Sequence, residues 1–121
     1  MSTPGLILFG TPEVERVIKQ DPQNIIEGAP EQSSWLYSND VPTGSRSGFW
    51  ECTAGKFRAK MDGYTEFCHI IEGEAHVTDL GTGMVHTVRA GDVFVMQAGL
   101  ETEWHVPDFI RKSFTLCDLR T

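Results

Sequence analysis

The sequence predicts an all-β protein built as an antiparallel sandwich or barrel, and two observations predict this class. From Ser33 onward, hydrophobic residues alternate with polar ones or form short runs between turn residues, as in residues 34–38 and 48–53. The 12 glycines and 6 prolines are spread along the 121 residues, as is typical of a chain with many tight turns. Together these signals predict about seven or eight short strands and almost no helix.

The later strands are separated by clear turn signals. Residues 65–71 are apolar on both faces, which predicts a strand that is buried on both sides. Residues 75–78 follow Gly73, and residues 79–83 predict a tight hairpin that leads into a strand over residues 85–88. Residues 93–96 and 110–119 complete the set, and the last of these alternates cleanly.

The N-terminal arm carries the only helix signal of the sequence. Thr11 is a capping residue, Pro12 suits a first helical turn, and Glu13 favours the positive end of a helix dipole. Apolar residues at positions 14, 17 and 18 then share one helical face, and residues 21–22 end the segment. We therefore expect one short helix here.

Length and charge restrict the classes of function. We expect a single domain over residues 1–121, with an N-terminal arm and first strands at 1–47 and a core at 48–119. The formal net charge of −7 argues against nucleic acid and against an anionic membrane surface, since both attract basic patches.

Cysteine usage and the N-terminal sequence predict a cytoplasmic protein. No early segment has the pattern of a signal peptide, and the apolar run at residues 6–9 is too short to span a bilayer. Cys52, Cys68 and Cys117 are an odd number without a close pair, so we expect small buried side chains in a reducing compartment.

Two glycine-containing motifs make the prediction more specific. The segment from Gly91 to Gly99 resembles the second sequence motif of cupins, G-x5-P-x-G-x2-H-x3-N, and Glu66 precedes Gly73 as in the E-x6-G tail of their first motif. The chain is similar to the small ethanolamine-utilisation-like and ureidoglycine aminohydrolase-like cupins, many of unknown function. Residues 48–51, 55–57 and 66–73 carry this similarity, together with Trp104 and the pair at 111–112. The resemblance implies a double-stranded β-helix, the jelly-roll barrel of cupins, and a homodimer.

The metal ligands that the resemblance implies are absent. Metal-binding cupins supply two histidines and a glutamate from the first motif and one histidine from the second. Counted back from Glu66, the histidine positions fall on Lys60 and Asp62, or on 61 and 63 in a register shifted by one. The last ligand position falls on Thr102. Only Glu66 remains, so we predict no bound transition metal and no other cofactor.

The four histidines do not replace the missing ligands. His69 is three residues from Glu66 and so points to the opposite face of the same strand, and His105 is out of phase with Thr102. His76 and His86 lie in the hairpin region. We expect all four to be packing or surface residues.

Strand parity predicts a buried ion pair. In the last strand Ile110, Lys112, Phe114 and Leu116 share one face, and three of the four are apolar, so this face points inward. An unpaired ammonium in that interior would be very costly, so Lys112 requires an acidic partner. Glu66 is the natural partner by position.

The same parity predicts a pocket around this pair. The candidates share a face with the pair or lie at the barrel mouth: Trp50, Phe57, Lys60, Asp62, Tyr64, Cys68, Thr102 and Trp104. Aromatic residues also build ordinary barrel cores, and a buried ion pair is often structural, so that alternative stays open.

Three functions fit these residues. The first is a metal-free binding module for a small polar or carboxylated metabolite. The second is an enzyme, with Glu66 as general base and Lys112 stabilising a developing anion. By resemblance it would act in the catabolism of small nitrogenous metabolites, as an aminohydrolase or isomerase. The third, also from the resemblance, is a structural partner in a larger assembly.

Overall fold

The structure, a computed structural model, describes residues 4–119. This part of the chain contains eight strands and one short 3-10 helix, and it is almost entirely β. The strands are β1 (Arg16–Ile18), β2 (Ile25–Gly28), β3 (Gln32–Asp40), β4 (Ser45–Lys60), β5 (Tyr64–Asp79), β6 (Val85–Arg89), β7 (Val93–Met96) and β8 (Glu101–Asp118). The helix, η1, covers Pro22–Asn24.

All strand pairs are antiparallel and join into one sheet that folds over on itself. Its order is β1-β3-β4-β8-β5-β6, with β2 also paired to β4 and β7 also paired to β5. The predicted all-β fold is confirmed, and so is the hairpin after β5, where the carboxylate of Asp79 accepts a hydrogen bond from the amide of Gly81.

The long strands β4, β5 and β8 bend and so contribute to two layers. Register shifts interrupt the β4–β8 ladder between Thr53 and Gly55, and the β5–β8 ladder on both sides of Gly73. Gly73 has a φ of +84°, and a Cβ there would lie 1.9 Å from the carbonyl oxygen of Phe109. Only glycine fits this bend. Gly73 therefore lies inside one long strand, whereas the sequence predicted two separate strands there.

We call the two layers the front and back sheets. The front sheet consists of β1, β3, β7 and residues 45–53, 64–70 and 110–118 of the long strands. The back sheet consists of β2, β6 and residues 55–60, 74–79 and 101–106. The inner faces meet in the core, where Trp50 of the front sheet lies 5.6 Å from Trp104 of the back sheet, between ring centroids.

The prediction of a helix that begins at Thr11 in the N-terminal arm is wrong. Residues 16–18 form β1 instead, which pairs with residues 33–35 of β3, and the one helical turn of the arm comes later, at η1. The physical reason is lateral pairing: Arg16 donates a hydrogen bond to Ser33, while the β-branched Val17 and Ile18 suit a strand. A short isolated helix has no comparable source of stability.

The expectation that residues 65–71 are buried on both faces is also wrong. Residues 66, 68 and 70 are buried, but Phe67 is 50% exposed and Ile71 is 43% exposed. Only one face of this part of β5 points into the barrel. The other belongs to the outer surface of the front sheet.

No helix among residues 4–119 is long and apolar enough to cross a membrane.

Candidate functional site

A cavity of about 210 Å³ lies between the two sheets. Its wall is mostly aromatic and aliphatic, with lysines and a few polar groups. The lining residues are Lys19, Gln32, Ser34, Trp50, Phe57, Ala59, Lys60, Met61, Tyr64, Glu66, Met96, Trp104, Lys112, Phe114 and Leu116.

The predicted ion pair lies in the wall of this cavity. The ammonium of Lys112 is 2.6 Å from Oε2 of Glu66, and the two side chains are only 6% and 10% exposed. β5 and β8 are neighbours in the front sheet, and their register places Glu66 opposite Leu116 and Lys112 opposite Ile70. Because side chains alternate along each strand, both charged groups point inward. The predicted contact is therefore confirmed.

Electrostatics keep Lys112 charged. Burial alone would lower the pKa of Lys112, but the adjacent Glu66 carboxylate outweighs it, so the pKa lies above its ordinary value. A lysine held protonated cannot act as a nucleophile, since that role needs the free amine. It can donate hydrogen bonds and stabilise negative charge.

Two indole rings complete the surroundings of the ammonium. The Nζ atom of Lys112 lies 4.5 Å from the centroid of Trp50 and 4.9 Å from that of Trp104. Both indoles are held in place: Trp50 donates to the side chain of Gln32, and Trp104 donates to the hydroxyl of Thr102. The cation is thus fixed by one carboxylate and two aromatic faces.

The surroundings of the two buried cysteines, Cys52 and Cys68, make their thiols unreactive. The Cys68 thiol donates to Oε2 of Glu66 at 3.0 Å, and burial raises the pKa of both Cys52 and Cys68 to about 12. A nucleophilic cysteine needs a lowered pKa. Cys68 therefore serves as a neutral hydrogen-bond donor to Glu66.

Two more lysines belong to the cavity lining: Lys19, and Lys60, which lies opposite Glu101 in the β4–β8 ladder on the same side of β4 as Lys56. Lys19 lies 3.5 Å from the carboxylate of Asp21. Lys60 forms no ion pair within residues 4–119. The Tyr64 hydroxyl donates a long hydrogen bond of 3.5 Å to the carbonyl of Lys60, and burial followed by the charge of Glu66 raises the pKa of Tyr64.

The structure brings together most, but not all, of the predicted pocket residues. Seven of the predicted site residues line the cavity: Trp50, Phe57, Lys60, Tyr64, Glu66, Trp104 and Lys112. Cys68 lies in the core behind Glu66. Asp62 is exposed in the loop between β4 and β5, outside the lining.

Thr102 lies apart from the cavity. Its hydroxyl donates to the carbonyl of Ala59 and accepts from Trp104, so both of its hydrogen-bonding roles are internal. The residue lines a second cavity, of about 500 Å³, that is bordered by β6 and β7. Thr102 thus holds the indole of Trp104 in its orientation without lining the first cavity itself.

Sequence reasoning missed the contributions of the N-terminal arm and of β3. Gln32 and Ser34 line the cavity because β3 pairs with β4 in a register that places Ser34 opposite Trp50. The alternation in residues 34–38 was a signal for this. No signal indicated Lys19, since the segment before it resembled a helix.

The residues at this site do not fit a transition metal. Within residues 4–119, no three side chains of His, Cys, Asp or Glu come close enough together to hold a metal ion. The one carboxylate in the cavity wall, Glu66, already neutralises Lys112. An ammonium beside that carboxylate would repel a metal cation.

Solved structures with the same fold support the topology described above. One is an ethanolamine utilization protein Q from Salmonella typhimurium, with 21% identity, a TM-score of 0.63, and coverage of 74% of this chain and 71% of that chain. Another is the EutQ protein of Clostridium difficile, at 14% identity and TM-score 0.67, covering 93% and 100%. A third is the ectoine synthase of P. lautus, at 15% and 0.66, covering 82% and 72%. At these identities the likeness shows the fold alone.

Sequence comparison assigns the family. Curated protein sequences contain no significant match to the chain. The family model described as the EutQ-like cupin domain, however, matches residues 43–114, a segment that runs from the turn before β4 to the second half of β8. It includes both glycine motifs and the Glu66–Lys112 pair. The chain therefore belongs to the EutQ-like cupin family.

Proposed function

We propose that this cupin is a binding protein for a small polar or carboxylated metabolite, held in the barrel cavity without a metal. The observation that carries this proposal is the Lys112–Glu66 pair, which is almost fully buried yet forms part of a cavity wall. An ammonium at that position can donate a hydrogen bond to a carboxylate or amide oxygen of a ligand.

The cavity itself supports binding over a purely structural role. A pair retained only for the fold would be packed on all sides, since protein interiors leave few voids. Here the pair faces open space that is also lined by further polar groups, Gln32 and Ser34 of β3 and Tyr64 of β5. Apolar walls with a few convergent polar groups are typical of small-molecule sites.

A thermal-shift screen with small acids, amides and ureides tests the proposal. A ligand that binds only the folded state must raise the melting temperature. The Ala59→Leu variant fills the cavity from its wall and should abolish the shift, while Ala54→Leu, at an exposed position, should keep it. If no compound raises the melting temperature of the wild type, or if Ala59→Leu responds like the wild type, the proposal is wrong.

A second candidate is an enzyme that uses the same pair. The 2.6 Å contact holds a carboxylate beside an ammonium whose pKa is raised, an arrangement that allows Glu66 to take a proton from a ligand while Lys112 stabilises the resulting anion. By family resemblance the substrates would be small nitrogenous metabolites. With a ligand from the screen in hand, Glu66→Gln should abolish turnover but retain measurable binding. Retained turnover would exclude Glu66 as the base.

We also propose that the protein forms a homodimer through the outer face of the front sheet. This face carries exposed apolar side chains on β5 and β7, among them Phe67, Val93 and Val95, at 50%, 54% and 49% exposure. The outer face of the back sheet is charged instead, with ion pairs such as Lys56–Glu103 and Arg89–Glu74. The same face carries the Arg111–Glu51 ion pair on β8 and β4, so we place the contact on the apolar part formed by β5 and β7, where two copies that each carry a net charge of −7 repel least.

The expected cytoplasmic location belongs to the same proposal. All three cysteines are free, which supports a reducing compartment.

A further inference from the structure

We propose that the ligand of the barrel cavity is a small neutral amide, whose N–H group donates a hydrogen bond to Oε1 of Glu66 and whose carbonyl accepts one from the side-chain NH₂ group of Gln32. This rests on the proposed binding function and names its ligand class. Three observations support it: the one free oxygen of the Glu66 carboxylate, the free NH₂ group of Gln32, and the balance of charge in the cavity wall.

The two oxygens of the Glu66 carboxylate have different surroundings. Oε2 lies 2.6 Å from the ammonium of Lys112 and accepts a hydrogen bond from the Cys68 thiol at 3.0 Å. Oε1 has no hydrogen-bond partner within residues 4–119, yet the fully buried side-chain atoms that lack a partner there are Nε of Arg46 and Nε of Arg111. Oε1 therefore keeps accessible surface, and because Glu66 lines the cavity, that surface opens into it. An ionised carboxylate oxygen only accepts, so the matching group of a ligand is a donor.

The side-chain amide of Gln32 supplies a donor in the same wall. Gln32 and Ser34 lie opposite Cys52 and Trp50 in the β3–β4 ladder, and directly paired residues share a face, so both point inward. The Trp50 indole can only donate, so the Gln32 atom 3.2 Å from its Nε1 is the side-chain oxygen. The NH₂ group of Gln32 is left without a partner within residues 4–119. Since the Trp50 ring also lies 4.5 Å from Nζ of Lys112, both the free donor and the ion pair adjoin this indole.

The enclosed part of the cavity wall carries no net charge. Lys112 and Glu66 are almost fully buried and neutralise each other. Lys19 is exposed and paired with Asp21, and Lys60 extends from the outer side of β4. A charged ligand would bring an unpaired charge into this apolar space, which is costly. A ligand carboxylate would also face the free oxygen of Glu66, so a neutral group that both donates and accepts fits best.

The rest of the wall selects a small flat body. Phe57 and Trp104 lie within 12° of parallel, so a planar ligand can pack against them with an offset. Met61, Met96 and Phe114 complete the apolar lining. The volume of about 210 Å³ is below the range of about 300–1,000 Å³ that drug-sized ligands occupy, so the cavity suits an amide on one ring or a short chain.

Calorimetric titration with probes of one shape tests this ligand class. Benzamide, acetophenone and benzoate carry an NH₂ group, a methyl group or a charged oxygen at the same position beside the same ring, and benzylamine adds a cation. We expect benzamide to bind most tightly. Acetophenone should bind about tenfold more weakly because it has no N–H for the charged acceptor, and benzoate should bind at least as weakly because its carboxylate faces Oε1.

Two variants assign the contacts to individual atoms. In Glu66→Gln the new side-chain oxygen must face Lys112, which only donates, so an NH₂ group takes the place of Oε1 in the cavity. This should reverse the ranking and make benzoate bind more tightly than benzamide. Gln32→Glu keeps an oxygen for the Trp50 indole but removes the NH₂ group, so benzamide and acetophenone should each bind about fivefold more weakly. Glu74→Gln, on the outer face of the back sheet, is the matched control and should change no affinity.

The outcomes separate this inference from the proposed function. If no acid, amide or ureide binds the wild type, both fail together. If acetophenone, benzoate or benzylamine binds as tightly as benzamide, the ligand class is wrong although a binding function stands. A Glu66→Gln variant that keeps the wild-type ranking would overturn the contact with Oε1. Wild-type affinity of Gln32→Glu for benzamide would overturn the contact with Gln32, and it does so whether or not Glu66→Gln folds.

Discussion

Removing the cation from the buried pair should destabilise the protein strongly at neutral pH. The Lys112→Met substitution keeps most of the apolar side-chain volume but removes the ammonium, and it leaves the Glu66 side chain, which is 10% exposed, without its charged partner. An uncompensated buried charge costs about 3–5 kcal/mol. We expect a loss of that order in the free energy of unfolding at pH 7.

Removing the carboxylate instead of the ammonium should lower the free energy of unfolding by less, because the two charges have different surroundings. In Glu66→Gln the Lys112 ammonium loses its carboxylate but keeps the faces of Trp50 and Trp104, and cation–π contacts contribute about 2 kcal/mol when desolvated. In the double variant no buried charge remains. Its loss should therefore be about 2–4 kcal/mol smaller than the sum of the two single losses.

Urea unfolding at pH 7 and pH 5 measures these terms. At pH 5 the buried carboxyl of Lys112→Met can bind a proton in the folded state, so this variant should recover stability relative to the wild type, whereas Glu66→Gln should not. The exposed pair Arg89–Glu74 is the matched control, and its double-mutant cycle should give a coupling below about 1 kcal/mol. Additive losses at the buried pair, or a Lys112→Met variant as stable as the wild type, would refute the reasoning.

Three further predictions address the interface, the cysteines and the metal. Phe67→Arg should shift the protein from dimer to monomer in light scattering, while Val85→Arg, on the charged outer face, should not; a wild-type monomer would contradict the interface. Because the pKa values of Cys52 and Cys68 are raised from 9.0 to about 12, the unfolded chain releases these protons first, and stability should fall between pH 9 and 12. The loss at pH 10 is about 1.4 kcal/mol for each thiol, and an unchanged urea midpoint from pH 8 to pH 10 would argue against it. Elemental analysis of purified protein should find no stoichiometric iron, manganese, nickel or zinc, and finding one would overturn the metal-free site.

The sequence alone was enough to predict those contacts that depend only on the alternation of side chains along a strand. The contact between Lys112 and Glu66 followed from parity, because alternate residues of a strand must share a face and an inward lysine needs a partner. Strand parity could not show which of the two apolar faces of β5 packs against the other sheet, because Phe67 is as hydrophobic as the residues that are buried. Motif spacing also could not show that Thr102 lies outside the cavity. The spacing gives the position of Thr102 along β8, but not which of the two cavities its side chain lines.

The N-terminal arm could not be predicted because long-range pairing decides its structure. The local sequence at residues 11–22 favours a helix, yet β1 exists because it can pair with β3, which follows it in the chain. That pairing immediately precedes Lys19, which then contributes to the cavity wall. When strand pairing brings a residue to a site, the sequence around that residue contains no signal that predicts its place there.

The pair of Glu66 and Lys112 also limits what chemistry this barrel can perform. A side-chain ammonium supplies a single positive charge and directed hydrogen bonds, but it has no open coordination position at which to activate water. Its raised pKa keeps it from forming a Schiff base, and the raised pKa of Cys68 keeps that thiol from attacking a substrate. Among the residues of 4–119 that line the cavity, Glu66 is then the one group able to accept a proton from a ligand, and doing so would weaken its own ion pair. Binding without turnover is therefore the favoured outcome, and the wild type should release its ligand unchanged. Turnover by the wild type that Glu66→Gln abolishes, while it leaves the cavity shape, would instead identify an enzyme with Glu66 as its base.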